Sequence, residues 1–262
     1  MQRLYVFLLV LLSVACERKV TAKGMRVVSL SPAMTEVIFA LGAGEYLVGV
    51  TTYCDYPDSA KKIYKVGDFS HPSLERIVGL KPDLVVVNLP EQKWLKIQLE
   101  KLGIKTFTTE PKTISDIYRE IAELGKILKR ERLADSLISY MKSVLKPQAK
   151  RKKRVYVELS PRPLITIGRE SYLNEMMEWA GGVNIFEDLA KDYPVVNQEE
   201  VIKRNPEIIL VFHPEKIADR LGWQEIEAVK KKKVYQELNP DHFLRPGPRL
   251  VLGFRQLEQI FE

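Results

Sequence analysis

The sequence predicts an α/β protein of two Rossmann-like lobes joined by a single long backbone helix, with a ligand cleft between the lobes. Three observations predict it. Short continuous apolar runs such as Leu84 to Val87 alternate with amphipathic helical segments, the pattern of parallel strands covered by helices on both faces. A long stretch from Ser115 to about Val144 interrupts that alternation, with Ile117, Ile121, Leu124, Leu128, Leu133, Leu137 and Met141 recurring at helical steps. The alternation then resumes, and the second half echoes the first. Glu75 to Val87 (ERIVGLKPDLVVV) aligns without a gap on Glu199 to Val211 (EEVIKRNPEIILV), and Val28-Ser29-Leu30-Ser31-Pro32 on Val157-Glu158-Leu159-Ser160-Pro161.

The chain opens with MQRLYVFLLVLLSVAC. Arg3 precedes nine apolar residues, Leu4 to Leu12. As a helix these rise only about 14 Å, too short for a ~30 Å hydrocarbon core, so the segment reads as a secretory signal over residues 1–15. Cys16 directly after Ala15 is similar to a bacterial lipoprotein signal, whose cysteine is acylated, although Ser13 stands where that signal usually has leucine. Residues 16–24 then form a polar, lipid-anchored tether. With Cys16 lipidated, Cys54 is left without a disulfide partner and is assigned a structural role.

The N-terminal lobe is placed at 25–114. It contains strands at Arg26 to Leu30, Leu47 to Val50, Leu84 to Val87 and Lys105 to Thr109. Its helices lie at Thr35 to Leu41, stopped by Gly42, at Leu74 to Leu80, and at Trp94 to Leu102, stopped by Gly103. The interlobe helix occupies 115–150, as one helix or two nearly collinear ones. The C-terminal lobe, 151–262, carries strands at Arg154 to Leu159, Glu207 to Phe212 and Lys233 to Leu238. Its helices are predicted at Tyr172 to Ala180 and Leu250 to Phe261.

Of 262 residues, 45% are hydrophobic and 29% charged, which supports a sizeable core and excludes a disordered chain. The net charge of +7 is scattered in clusters without interleaved aromatics, so no nucleic-acid partner is assigned. The nucleophile-elbow, phosphate-loop, metalloprotease and redox Cys-pair motifs of enzymes are missing, and Gly42-Ala43-Gly44 fits a helix stop better than a dinucleotide loop. No catalytic residue and no cofactor are therefore assigned. His71, His242 and Asp241 lack the close spacing of metal ligands, so no metal centre is assigned either.

The predicted loops after strands are rich in aromatic and hydrogen-bonding residues: Tyr53, Phe69 and Asn88 in the first lobe, and Tyr193, Asp241, His242 and Arg245 in the second. Aromatic walls with a few polar fixers suit a large, partly planar ligand, with ordinary loop packing the alternative for any one of them.

These segments resemble a family, the cobalamin- and iron-siderophore-binding proteins of ABC importers. RVVSLSPAMTEVIFALG, VGVTTYCDYP, LERIVGLKPDLVVV, GGVNIF and RPGPR occur in the family's order and spacing across Met25 to Phe261. The resemblance implies a non-enzymatic, monomeric binding protein that captures a corrinoid or ferric siderophore and delivers it to a permease dimer in the inner membrane. Haem or a divalent metal is the alternative cargo, and an exported α/β enzyme a more distant reading. The family docks on its permease through one acidic residue per lobe, and the matching positions are Glu75 and Glu199. Tyr53 stands where cobalamin binders have a cleft tyrosine, and Phe69, Asn88 and Tyr193 stand where they have tryptophans. Asp241 and Arg245 match a late ligand-contacting loop, where an arginine in the cleft favours an anionic group on the ligand.

Overall fold

The computed structural model describes residues 24–148, 152–217 and 219–262. The expectations for the signal segment and for Cys16 lie outside the described residues.

In the first lobe, β1 (Val27–Ser29), β2 (Leu47–Val50), β3 (Leu84–Asn88) and β4 (Thr106–Thr109) form a parallel sheet of order β2-β1-β3-β4. Helices α1 (Pro32–Ala40), α2 (Leu74–Gly79) and α3 (Lys93–Lys101) connect the strands. Ser31 caps α1 and Ser73 caps α2, each hydroxyl accepting from a first-turn N–H. Gly42 and Gly103 end α1 and α3 at positive φ, the left-handed backbone glycine adopts most cheaply.

The second lobe repeats this frame. Its strands are β5 (Lys153–Glu158), β8 (Gly182–Asn184), β9 (Ile208–Val211) and β10 (Val234–Tyr235), between which α6 (Tyr172–Ala180), α7 (Gln198–Arg204) and α8 (Glu227–Lys230) lie. All are parallel, in the order β8-β5-β9-β10. Position for position this is β2-β1-β3-β4. The repeat reaches the backbone dihedrals: Lys81 and Asn205, which the sequence alignment pairs, end α2 and α7 at φ 47° and 44°, each just before a proline. The second lobe adds an antiparallel hairpin, β6 (Ser160–Pro161) with β7 (Leu164–Ile165), and closes with α9 (Leu250–Ile260).

The interlobe segment corrects one expectation. Instead of one long helix it is two, α4 (Ile114–Ile127) and α5 (Glu131–Val144), and they are not collinear. A β-carbon on Gly125 would stand 2.6 Å from that of Ala134, nine residues on, so the chain turns back sharply there. Arg130 N bonds Gly125 O at 2.7 Å and Lys129 N bonds Lys126 O at 3.2 Å, the paired bonds of a Schellman stop with Lys129 at φ 56°. Thr113 and Asp116 cap α4 reciprocally. Ile114, Ile117, Ile121 and Leu124 of α4 join Met34 and Val37 of the first lobe and Met176 and Leu257 of the second in one buried apolar cluster. The two lobes therefore share a core across α4 and α5.

Candidate interlobe binding cleft

The carboxyl ends of both sheets face a cleft of about 340 Å³. Asn88 to Glu91 line it after β3 and Glu110 to Lys112 after β4; the second lobe contributes Glu170 to Tyr172, Asp192, Tyr193, Leu244 and Pro246. Open α/β sheets place ligands at the carboxyl ends of their strands, where loops carry side chains without disturbing the frame.

Buried polar groups hold these loops. Gln92, fully buried, accepts from Asn88 N at 2.8 Å and donates to the carbonyls of Leu30 and Phe69, tying three loops together. Glu120 of α4 accepts from Thr109 Oγ1 at 2.6 Å and from Glu110 N at 3.0 Å, fixing the path after β4. Burial raises its pKa against those hydrogen bonds. Two contacts then bridge the lobes, one of them in the cleft lining. Ile114 N donates to Glu175 Oε2 at 2.7 Å, and Lys112 forms an ion pair with Asp192. Lys112 is held above the ordinary lysine range, chiefly by the Asp192 hydrogen bond.

Among the residues singled out from sequence, Asn88 and Tyr193 face the same cavity from opposite lobes. Tyr193 keeps 45% of its surface exposed, while burial around its hydroxyl pushes the phenol pKa up. Phe69 stands on an adjoining loop, held by its carbonyl to Gln92. Tyr53 is exposed on the loop that carries Asp55. His242 Nδ1 is buried with no hydrogen-bond partner, and its Nε2 lies 3.5 Å from Asn239 Nδ2. His71 is exposed beside Asp68. Among the described residues no three His, Cys, Asp or Glu side chains are grouped to hold a metal ion.

Arg245 and Asp241 do not stand free for a ligand, as the sequence suggested; they belong to a bolt between the lobes. Arg245 Nη1 donates to Asp55 Oδ1 at 2.7 Å and Glu36 Oε1 at 3.1 Å, and its Nε lies 2.9 Å from Asp241 Oδ1. Arg249 adds a two-pronged pair to Glu36, at 2.6 and 2.8 Å, and reaches Asp241 at 3.2 Å. Its guanidinium also lies 4.4 Å from the centre of the Tyr56 ring. Glu36 is buried on α1, so the second lobe's arginines compensate a carboxylate sunk in the first. Sequence reading missed Glu36 and Arg249. Both lay inside segments quoted above, Glu36 in RVVSLSPAMTEVIFALG and Arg249 at the end of RPGPR, but nothing in either segment says that they meet.

Glu75 and Glu199 occupy the same place in their lobes. Each is exposed in the first turn of the helix that precedes the third strand of its sheet, beyond a Ser73 or Asn197 cap. Cys54 is buried and bonded to Thr35 and Thr51 hydroxyls at 3.2 Å each, in keeping with a structural role.

A family model described as periplasmic binding protein matches residues 27–237. An ABC transporter substrate-binding lipoprotein of Bacillus subtilis, YvrC, is 36% identical over 250 residues, covering 89% of this chain and 79% of that one. A vitamin B12-binding protein of Salmonella typhimurium is 36% identical over 238 residues, 88% of each chain. The crystal structure of the periplasmic vitamin B12-binding protein BtuF of Vibrio cholerae superposes with a TM-score of 0.77 at 28% identity, covering 90% of this chain and 96% of that one.

Proposed function

The chain belongs to the periplasmic binding protein family, and on that premise we propose that it captures a corrinoid in the interlobe cleft and hands it to an ABC permease. The family consists of solute-binding proteins of ABC transporters, and the chain is not an enzyme. One observation carries the ligand reading: the cleft lies at the carboxyl ends of two equivalent sheets in a chain 36% identical to a vitamin B12-binding protein. Leu89, Pro90, Pro111, Leu244 and Pro246 supply an apolar floor, and Asn88 and Tyr193 supply hydrogen bonds. Tyr53 and Phe69, on the adjoining loops, cover the part of a corrinoid that a 340 Å³ cavity leaves outside. A ferric siderophore is the second cargo of the same kind, a large metal chelate.

Glu75 and Glu199 dock the loaded protein. Equivalent carboxylates on equivalent helices suit a two-fold symmetric permease, which presents the same basic site twice. Lipidation at Cys16 keeps the protein on the membrane.

Isothermal titration with cyanocobalamin, cobinamide and a ferric trihydroxamate tests the ligand. Corrinoid binding at micromolar concentration or tighter is expected, and binding of neither chelate class removes the reading. Reversing both acids (Glu75→Lys, Glu199→Lys) is expected to abolish stimulation of the permease ATPase with ligand affinity retained. Full uptake by the double variant rejects the docking roles.

A further inference from the structure

Of the charged side chains lining the cleft, four are carboxylates (Glu91, Glu110, Glu170 and Asp192) and one is an ammonium, Lys112. That is the reverse of the whole chain, whose net charge is +7. Nor is Lys112 a free cation. It pairs with Asp192 from the opposite lobe and lies 3.5 Å from Glu110 Oε1. The two arginines of the late loop are withdrawn as well, because Arg245 and Arg249 are engaged by Glu36, Asp55 and Asp241. Arg169 does not line the cleft itself; it lies in a neighbouring depression that shares Lys112, Glu170 and Ser171 with the cleft and adds two further carboxylates, Glu175 and Glu178. Glu91 and Glu170 are exposed, one on each lobe; Glu91 accepts a 3.1 Å bond from Asn88, and among the described residues neither forms an ion pair.

We infer that the cleft selects its chelate by charge: it takes neutral or cationic metal chelates whose periphery donates N–H groups, and rejects anionic ones. This rests on the chelate-binding reading above and narrows it. A corrin rimmed by carboxamides presents N–H donors that carboxylates accept, with no net charge to repel. A ferric trihydroxamate bearing a free ammonium gains attraction from Glu91 and Glu170. Haem brings two propionates, and a ferric tris-catecholate several negative charges, into a site whose own lining holds four carboxylates and no arginine.

Two matched series test it by calorimetry at low and moderate salt. One is ferrioxamine B with its free amine as the ammonium, acetylated to neutral, or succinylated to a carboxylate. The other is cyanocobalamin and the same compound with one propionamide hydrolysed to a carboxylate. Within the series that binds, affinity should fall from cation to neutral to anion, by about threefold per charge at low salt. The steps should shrink as salt rises. Glu91→Gln with Glu170→Gln should narrow the ratio between the charged ends of the series. An anionic member binding as tightly as its neutral partner, or a ratio unmoved by the double variant, overturns charge selection while leaving chelate binding intact. Failure of both whole series to bind removes the chelate reading and this inference with it.

Discussion

The two lobes share a frame and differ at a position the repeat makes equivalent. Ser29 ends β1 and Glu158 ends β5, and both are fully buried. In the first lobe the group is a neutral hydroxyl: Ser29 donates to Ser31 O at 3.1 Å and accepts from Thr35 Oγ1 at 2.8 Å. In the second it is a carboxylate. Arg220 clamps Glu158 with two bonds, at 2.7 and 3.0 Å, His213 Nε2 lies 2.7 Å away, and the Arg220 guanidinium rests 4.7 Å from the Trp223 ring centre. His213 Nδ1 accepts from Glu215 N, so it is the Nε2–H that faces Glu158. Strand order and helix caps are thus inherited by both halves, but the same buried corner is filled by hydroxyls in one and by charges in the other. Topology constrains where a polar group sits, and the neighbouring loop decides its chemistry.

The largest expected effect breaks that comparison on its charged side. Arg220→Ala leaves Glu158 buried with His213 alone and should cost about 3 kcal/mol, because an uncompensated charge is stranded in the interior. The hydroxyl counterpart, Ser29→Ala, should cost about 1 kcal/mol, the net worth of its hydrogen bonds. Urea midpoints of the two variants measure the difference; equal losses would mean that the second lobe's charges carry no special burden.

Next in size is the bolt between the lobes. Arg249→Ala removes the two-pronged partner of buried Glu36 but leaves Arg245 in place, so the loss should be nearer 2 kcal/mol. The bolt also has a pH signature. Burial alone would raise Asp55, but the Arg245 hydrogen bond and charge outweigh it and hold the carboxyl below its ordinary 3.8. A depressed folded-state pKa gives stability that is fully present above the unfolded value and is lost as pH falls through the folded one. Interlobe stability should therefore begin to fall below about pH 4. Asp55→Asn should flatten that part of the acid-denaturation curve, and an unchanged curve would show the Asp55 pair to be idle.

The frame was legible because it is local. Apolar runs and the stops at Gly42 and Gly103 announce their elements within a few residues, and the aligned ERIVGLKPD and EEVIKRNPE segments revealed the repeat, though not the left-handed ends at Lys81 and Asn205, which no glycine marks. What was not legible depends on distance or on an unusual residue. Arg245 meets Glu36 and Asp55 from 209 and 190 positions away, so sequence offered it to the ligand when the fold gives it to carboxylates. That the chain turns sharply between α4 and α5 escaped notice because a lysine, not a glycine, takes the left-handed position at residue 129. Asn88 and Tyr193 were readable as loop residues after strands; that they share one cavity, and that its charged lining is mostly acidic, required both lobes in place.

The smallest effect sharpens the comparison at α2 and α7, the helices that carry the proposed docking acids. Gly79 closes α2 where the second lobe has Lys203, and a β-carbon added there meets nothing within 4 Å. Its backbone is not left-handed, so glycine is not required by conformation. Gly79→Ala should then raise stability by about 0.5 kcal/mol, mainly by removing freedom from the unfolded chain. Lys203 shows that the equivalent position tolerates a long side chain, with 79% of it exposed. Thermal melting and permease stimulation, measured on the same variant, separate two reasons for the glycine. A more stable protein with full stimulation makes Gly79 an accident of one lobe. A more stable protein that stimulates poorly makes the bare surface beside Glu75 part of the proposed docking face, a close approach that the second lobe, with Lys203 at the equivalent position, does not offer.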